Sequence, residues 1–299
     1  MFDTVPQLDC AGRVLRLDRP NVVGIVNVTP DSFSDGGQHG SLEAAVAHGR
    51  RLADEGADVL DVGGESTRPG AEAISLDEEL ARVIPVIERL ARETTVVVSV
   101  DTSKPEVMRA AVAAGAGLIN DVYALRREGA LDAAAAAGVP VVLMHMLGEP
   151  GAMQDDPRYG DVVADVHRFL AERLFACEMA GIAKKNLVVD PGFGFGKTLQ
   201  HNLLLLRQLG RFSDLGVPVL AGLSRKRSLG DLTGRAVDER VHASVAAAVL
   251  SAEYGARLIR VHDVAATVDA MKVWAAVAAL PGPVAKPAKP AAPKWPDDD

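Results

Sequence analysis

The sequence predicts a (β/α)8 TIM barrel formed by one domain over residues 1–280. Short apolar, β-branched segments alternate with Ala- and Leu-rich segments of helical spacing. This alternation occurs eight times, with roughly 30 residues or somewhat more per unit, as in (β/α)8 barrels. The first apolar segment leads into NVTPDSF (27–33), not into the GxGxxG turn that opens many doubly wound sheets. A barrel is therefore favoured over an open doubly wound sheet.

The eight predicted strands follow a short N-terminal hairpin within residues 1–20. In that hairpin, the apolar segments Leu8–Cys10 and Val14–Leu17 flank a turn at Ala11-Gly12. Each later strand is an apolar run of the kind found in parallel sheets whose two faces are both covered. The strands are predicted at Val22–Val28, Asp58–Gly64, Thr95–Val100, Leu118–Val122, Pro140–Met146, Leu187–Asp190, Pro218–Leu223 and Arg257–Val261.

Eight predicted helices alternate with these strands. Ser75 and Glu78 have capping-box spacing, and Pro105 fits the first turn of a helix. Pro85 is expected to kink or split the second helix because proline lacks a backbone donor. The helices are predicted at 41–56, Ser75–Glu93, Lys104–Ala114, Ala130–Ala137, Asp161–Ala180, Leu199–Leu209, Asp238–Tyr254 and Ala265–Leu280. The Pro/Ala/Lys-rich residues 281–299 predict a disordered tail.

Composition and charge exclude several classes of protein. The net charge of −8 argues against binding to nucleic acid or to a membrane surface. No apolar run approaches the ~20 residues that span a bilayer, and residues 1–13 lack a signal-peptide pattern. Cys10 and Cys177 form no CxxC pattern and indicate buried thiols in a reducing compartment. We therefore expect a cytoplasmic protein that acts on small molecules.

Polar residues stand where the predicted strands end, and a barrel gathers such positions at one mouth. Asp101, Asn120 and Asp190 offer oxygens and an amide to a planar heterocycle with several N–H donors, such as a 2-amino-4-oxo ring. Helix capping is the alternative role for Asp101, which precedes Thr-Ser-Lys-Pro. The strand-end set is Asn27, Thr67-Arg68, Asp101, Asn120-Asp121, His145, Asp190, Lys226, Arg260 and His262.

The cationic members of this set indicate an anionic ligand or leaving group. Arg260 and His262 are two positions apart on one predicted strand, so their side chains point to the same side. They and Lys226 belong to the last two strands, where barrels often bind phosphate. Arg225 and Arg68 add to the positive charge. A solvated charged surface is the alternative, but it fits poorly with the apolar neighbours of Arg260.

Other motifs narrow the chemistry. GFGFGK (192–197) lacks the spacing of a phosphate-binding P-loop, although Phe193 or Phe195 offers a ring to stack on a ligand. The sequence contains no HExxH, CxxC or GxSxG motif, which argues against a zinc enzyme and a serine hydrolase. Asn27 beside a diphosphate would suit Mg²⁺, which takes few protein oxygens together with phosphate and water.

With these residues in place, the sequence resembles the dihydropteroate synthase family of folate biosynthesis. The matching segments follow one order from about residue 20 to 280. They are GIVNVTPDSFSDGG (24–37), DVGGESTRPGA (61–71), SVDTSKP (99–105), IND (119–121), LMHM (143–146), DPGFGFGK (190–197), GLSRK (222–226) and RVHDV (260–264). The resemblance implies a transferase that joins 6-hydroxymethyl-7,8-dihydropterin diphosphate to 4-aminobenzoate, giving 7,8-dihydropteroate and pyrophosphate. It also implies a homodimer. Because the bond broken is C–O to a diphosphate and its departure would leave a pterin-stabilised cation, we expect the diphosphate to leave before the amine attacks. Sulfonamides resemble aminobenzoate and should compete with it.

The resemblance also implies a role for each site residue. The pterin would be held by Asp101, Asn120, Asp190 and Lys226. The metal ion would be bound by Asn27 and the diphosphate by Thr67, Arg260 and His262. The aminobenzoate pocket would be lined by Phe33, Arg68, Pro69 and Ser224, with Phe195 and Met144 as further substrate contacts. The catalytic set would be Asp35, Lys226, Arg260 and His262, with Asp35 above the reacting carbon once the first loop closes.

Two other functions fit part of this pattern. A corrinoid-dependent, pterin-binding methyltransferase would share the Asp/Asn/Asp set, but it has no use for a diphosphate clamp of Lys226, Arg260 and His262. A catalytically silent, pterin-binding partner protein would not need Asp35 and Arg68. The complete set of charged residues therefore favours the synthase.

Overall fold

Ten strands are present in the computed structural model, which describes residues 5–28, 37–65, 73–148 and 157–281. Strands β1 (Gln7–Cys10) and β2 (Arg13–Arg16) form the predicted antiparallel hairpin. The other eight form one parallel sheet in the order β8-β7-β6-β5-β4-β3-β10-β9. They are β3 (Asn21–Asn27), β4 (Val59–Gly63), β5 (Val97–Asp101), β6 (Leu118–Asp121), β7 (Val141–Met144), β8 (Leu187–Asp190), β9 (Leu220–Ala221) and β10 (Leu258–Val261).

A bridge between Val189 and Val219 joins the two outermost strands of this sheet. Val189 N donates to Pro218 O at 3.0 Å, so β8 lies beside β9 and the sheet closes on itself. Eight parallel strands with helices between them confirm the predicted barrel. Among the helices within the described ranges, none is long and apolar enough to cross a membrane.

The helices surround the barrel. They are α1 (Gly37–Asp54), α2 (Leu76–Glu93), α3 (Pro105–Ala113), α4 (Ala130–Ala137), α5 (Val162–Met179), α6 (Leu199–Arg207), α7 (Arg227–Thr233), α8 (Val241–Glu253) and α9 (Val264–Ala278). Short 3-10 segments precede β8, β9 and α8 at Lys184–Asn186, Leu209–Leu215 and Val237–Glu239. Of the residues expected to form a disordered tail, 282–299 lie outside the described ranges.

Three details of the helices differ from the sequence-based expectation. Helix α7 was missed because RSLGDLT is short and mixes polar residues and glycine without an apolar stripe. Pro85 does not split α2, which runs unbroken through it. In the predicted capping box, Ser75 Oγ accepts from Glu78 N at 3.2 Å, but the Glu78 carboxylate pairs with Arg82.

An apolar plug closes the end of the barrel at which the strands begin. The hairpin contributes Leu8, Cys10, Leu15 and Leu17, all at most 5% exposed. Each of the eight barrel strands contributes one more side chain, and these are Val23, Val59, Val97, Leu118, Val142, Val188, Leu220 and Leu258. The hairpin therefore seals one end of the barrel, and ligands must enter from the other.

Candidate active site

The polar mouth of the barrel stands on the same strands as the apolar plug. Successive strand side chains alternate between the two faces, so residues two and four positions beyond a plug residue also point inward. Asp61 is two positions beyond Val59 in this way, and Arg260 is two beyond Leu258. The fold thus converts an alternating pattern into a site with an apolar base and a polar rim.

A pocket that is open to solvent lies at this mouth, and the empty space within it, solvent included, is about 470 Å³. Its lining brings together nine of the predicted site residues, which are Asp101, Asn120, Met144, Asp190, Phe195, Ser224, Lys226, Arg260 and His262. Ile25, Val122, Phe193 and Gly222 complete the lining. Asn27 ends β3, half-buried, beside Gly63 of β4. Phe33, Asp35, Thr67, Arg68 and Pro69 lie outside the described residues.

Arg260 is held between two carboxylates inside the barrel. Its Nε donates to Asp61 Oδ2 at 2.6 Å, and its Nη2 donates to Asp101 Oδ2 at 2.7 Å. Asn120 Nδ2 donates to the same Asp61 oxygen at 2.9 Å. Asp101 thus turns into the pocket and does not cap α3, where the sequence left that alternative open. These contacts fix the guanidinium at the centre of the site.

Asp61 is the site residue that the sequence analysis missed. It is 1% exposed, and its Oδ1 has no hydrogen-bond partner within the described part of the chain. A signal was available, because a charged residue stands between Leu60 and Val62 in an otherwise apolar strand. Such a residue almost never occupies a barrel interior without a partner, so it should have been assigned to the site.

Burial shifts the acids of the pocket toward their neutral forms. Burial raises the pKa of Asp101 to about 7, although the charge of Arg260 opposes that shift. The pKa of Asp190 is also raised by burial, opposed by a hydrogen bond from Gly192 N to its Oδ1 at 2.7 Å. These carboxyls are therefore poorly solvated acceptors, which a ligand with matching N–H donors would stabilise in the charged form.

Lys226 lies opposite Asp190 against the loop that follows β8. Its Nζ donates to Phe193 O at 2.7 Å and lies 4.0 Å from the centroid of the Phe195 ring. Burial lowers the pKa of Lys226 to about 7, with the charge of Asp190 acting in the other direction. The amine can therefore exchange a proton near neutral pH, and it sits where it can donate to a ligand stacked on Phe195.

Ser224 and His262 connect the loops after β9 and β10. Ser224 Oγ lies 3.1 Å from His262 Nδ1 and accepts from His262 N, also at 3.1 Å. Ser224 is buried and lines the pocket together with His262. A hydroxyl, an imidazole and the Arg260 guanidinium thus share one side of the mouth, as an anion-binding site requires.

Two other strand-end residues support the site from behind. His145 Nδ1 lies 2.9 Å from Nζ of the buried Lys197, which also donates to Phe195 O at 3.0 Å. Burial lowers the pKa of Lys197 to about 7. Asp121 accepts from the backbone N–H groups of Tyr123 and Leu125, at 2.8 and 2.7 Å, and so shapes the turn after β6.

Comparisons with known proteins agree with this geometry. A match to the pterin binding enzyme family spans residues 23–262. The dihydropteroate synthase of Escherichia coli K12 is 53% identical over 267 residues, covering 89% of this chain and 95% of that protein.

Two solved structures superpose on nearly the whole chain. The Xanthomonas albilineans dihydropteroate synthase with 4-aminobenzoic acid has a TM-score of 0.89 and 68% identity, covering 93% of this chain and 100% of that one. A second structure from X. albilineans, in complex with 7,8-dihydropteroate, has a TM-score of 0.85 and 65% identity, covering 92% and 100%. The chain therefore belongs to the dihydropteroate synthase family of pterin-binding enzymes.

Proposed function

We propose that this protein condenses 6-hydroxymethyl-7,8-dihydropterin diphosphate with 4-aminobenzoate to give 7,8-dihydropteroate and pyrophosphate. The observation that carries the proposal is the lining of one pocket by two groups of opposite character. Asp101, Asn120 and Asp190 supply acceptors and an amide, while Lys226, Arg260 and His262 supply donors and positive charge. A pterin diphosphate needs both groups, because its ring edge donates hydrogen bonds and its tail is an anion.

The acceptor group suits the pterin ring. The amino and ring N–H groups of a 2-amino-4-oxo ring form parallel donors, which a carboxylate such as Asp190 can accept in pairs. Lys226 Nζ is placed to donate to the ring oxygen, and Phe195 provides a face for stacking. Arg260 and Gly192 N each satisfy one oxygen of Asp101 and Asp190, and the N–H donors of this ring would offset more of the cost of burying the two carboxylates, which favours it over an apolar ring.

The donors Lys226, Arg260 and His262 would assist departure of the diphosphate. In the proposed order, the C–O bond at the pterin methylene breaks first, and its electron pair leaves with pyrophosphate. Arg260 and His262 would stabilise the negative charge on the departing pyrophosphate. Such stabilisation lowers the barrier most when the donors are already in position. The amine of aminobenzoate then attacks the methylene carbon and loses one proton. Asp35, which lies outside the described residues, would stabilise the intermediate cation.

Mg²⁺ is the proposed metal ion, and Asn27 its protein ligand. Within the described ranges no three His, Cys, Asp or Glu side chains cluster as a metal site. A hard cation that takes most of its ligands from diphosphate and water fits this donor set, with one amide oxygen from the protein. When bound, Mg²⁺ would neutralise charge on the diphosphate. The residues of the chain itself would orient the pterin and bind the leaving group.

We also propose a homodimer formed by α8 and α9. Leu250 on α8 is 43% exposed, and Val273 and Val277, one turn apart on the adjacent α9, are 66% and 64% exposed. Such an apolar face on a charged protein is suited to a second copy of the chain. Val273→Glu with Val277→Glu should convert a dimer to a monomer in analytical ultracentrifugation, while Lys272→Glu on α9 should not. A wild-type monomer at micromolar concentration would refute the dimer.

A cytoplasmic location is proposed from the two thiols. Cys10 and Cys177 are both fully buried, and burial raises their pKa to about 12 and about 11. Neither thiol is reactive in that state, and neither forms a disulfide. Buried free thiols are typical of proteins in reducing compartments.

The test of the reaction is release of pyrophosphate. The protein is mixed with the pterin diphosphate, 4-aminobenzoate and Mg²⁺, and pyrophosphate is followed with a coupled assay. We expect release that depends on aminobenzoate and stops when Mg²⁺ is chelated. Absence of aminobenzoate-dependent release would reject the proposed reaction. A methyltransferase would instead release no pyrophosphate under any of these conditions.

A further inference from the structure

Arg225 adopts a backbone conformation that side chains normally avoid. It lies between Ser224 and Lys226, two pocket-lining residues, and its φ is +56°. In this left-handed region the Cβ of a non-glycine residue approaches its own backbone, which costs free energy. Strain of this kind persists only where the surroundings impose it, and it concentrates at functional sites. The contacts of Arg225 should therefore explain how the turn is held.

Both the side chain and the backbone of Arg225 are held by neighbours. The guanidinium pairs in a bidentate manner with Asp263, with Nε–Oδ2 at 3.0 Å and Nη2–Oδ1 at 2.5 Å. The backbone N of Arg225 donates to Ser244 Oγ at 3.0 Å, and its carbonyl accepts from Arg240 Nη1, also at 3.0 Å. The planar fork of arginine makes such a pair directional as well as attractive.

Asp263 directly follows His262, so the ion pair joins the two loops that carry the cationic side of the site. The same loops are joined a second time through Ser224 and His262, whose polar atoms meet at 3.1 Å. The Arg225 side chain is 33% exposed and the Asp263 side chain 17% exposed. Neither residue lines the pocket described above.

We propose that Arg225 and Asp263 are positioning residues that hold a left-handed turn, so that Ser224 and Lys226 both face the pocket. The turn is closed by Lys226 N, which donates to Leu223 O at 3.1 Å, and it brings the Ser224 hydroxyl to His262 and the Lys226 amine to Phe193. Through Asp263 the same pair sets the start of α9 and hence the backbone of His262. This inference rests on the proposed function, because Ser224 and Lys226 are assigned to the two substrates.

The test compares alanine and glycine at position 225. In Arg225→Ala a positive φ would still be strained, but the ion pair that holds it would be lost. The turn should therefore relax to another conformation. Glycine adopts φ near +60° without strain, so Arg225→Gly should keep the turn although it also lacks the guanidinium. We expect Arg225→Ala to lower kcat/KM for aminobenzoate by about tenfold or more, mainly through KM, and Arg225→Gly to recover most of that loss.

Arg227→Ala is the matched control, because Arg227 is two positions away, 88% exposed and weakly paired with Asp231. It should leave both kinetic constants unchanged. Asp263→Asn should behave like Arg225→Ala, and the double variant with Arg225→Ala should be no worse than either alone. Equal impairment of Arg225→Ala and Arg225→Gly, with Asp263→Asn unaffected, would show that the guanidinium contacts substrate and would overturn the positioning role.

A crystallographic readout separates this proposal from the proposed reaction. In Arg225→Ala crystals the contact between Ser224 Oγ and His262 Nδ1 should open beyond hydrogen-bond range, whereas in Arg225→Gly crystals it should remain near 3.1 Å. An unchanged turn in Arg225→Ala would overturn the positioning role whether or not the protein releases pyrophosphate.

Discussion

Arg260 Nε donates to Asp61 Oδ2 at 2.6 Å across the interior of the barrel, from the last strand to the second barrel strand. These strands, β10 and β4, are separated by β3 in the sheet. The contact therefore spans the barrel interior and does not follow the hydrogen-bond ladder. Since Asp61 also accepts from Asn120, one buried carboxylate orients a cationic and an amide member of the site together.

Asp61→Asn should weaken the hold on Arg260 without changing the size of the side chain. We expect kcat/KM for the pterin diphosphate to fall about 10- to 100-fold, because a buried charge-assisted bond is lost. Steady-state kinetics would measure the fall. Asp77→Asn, an exposed change at the start of α2, is the control and should have no effect. Wild-type kinetics for Asp61→Asn would show that Arg260 is positioned by other contacts.

Arg260→Ala should remove stabilisation of the departing diphosphate. By analogy with oxyanion donors, the loss is roughly 2–4 kcal/mol, or about 30- to 1,000-fold in kcat/KM. Arg260→Lys keeps the charge but loses the two directed bonds, so its activity should lie between wild type and the alanine variant. An unchanged kcat/KM for the pterin diphosphate in Arg260→Ala would contradict the role of Arg260.

Lys197 should make the ligand-free protein more stable as pH rises above neutrality. Its folded pKa of about 7 lies below the unfolded value of 10.5, so the unfolded chain binds more protons between these values. The contribution is fully present above about pH 10.5 and is lost as pH falls through 7. Lys197→Met should therefore flatten the rise of the urea midpoint between pH 7 and 10. Lys272→Met, at an exposed pair with Asp269, is the control and should leave the rise of the urea midpoint with pH unchanged. An equal rise for wild type and Lys197→Met would disprove the lowered pKa of Lys197.

Gly192→Ala should destabilise the loop that carries Phe193 and Phe195. A Cβ at Gly192, where φ is +71°, would lie 1.8 Å from His145 O, so backbone has to move. Gly138 has a similar φ of +68° with nothing within 4 Å of the added Cβ. Gly138→Ala should cost about 1–2 kcal/mol from strain alone, and Gly192→Ala distinctly more. Equal unfolding free energies for the two variants would refute a steric requirement at Gly192.

Sulfonamides should inhibit the reaction in competition with aminobenzoate, because they share an aromatic amine with an acidic group opposite it. Raising the aminobenzoate concentration should restore the uninhibited rate, while raising the pterin diphosphate should not. The assay is pyrophosphate release at several concentrations of each substrate. Inhibition that is insensitive to aminobenzoate would place the inhibitor elsewhere.

The barrel could be predicted from sequence because each strand is an apolar run and each helix has its own spacing. Those are local signals that survive in the folded state. The ends of the strands could also be located, which placed Asp190 and Arg260 at one mouth. Helix α7 was not predicted, because its sequence carries no periodic pattern and its conformation is imposed by packing against the barrel.

The parts of the site that sequence analysis missed depend on contacts distant in the chain. The charge of Asp61 within an apolar strand indicates that it needs a partner, but that partner, Arg260, is 199 positions later in the chain and is identified only in the folded structure. The left-handed φ of Arg225 has no signature in its residue type, because arginine seldom adopts it. Lys197 was considered only within GFGFGK, a segment that was rejected as a phosphate loop, whereas its contacts with His145 and Phe195 place it behind the pocket.

Along each strand, the residues that pack against the hairpin are separate from the residues that line the pocket. Val97 packs against the hairpin cluster, while Asp101, four residues later on the same strand face, belongs to the pocket. Random substitutions at the plug should therefore yield temperature-sensitive proteins, and substitutions at the mouth should yield folded proteins with altered ligand preference. Folding and ligand choice therefore depend largely on different residues of the same strands.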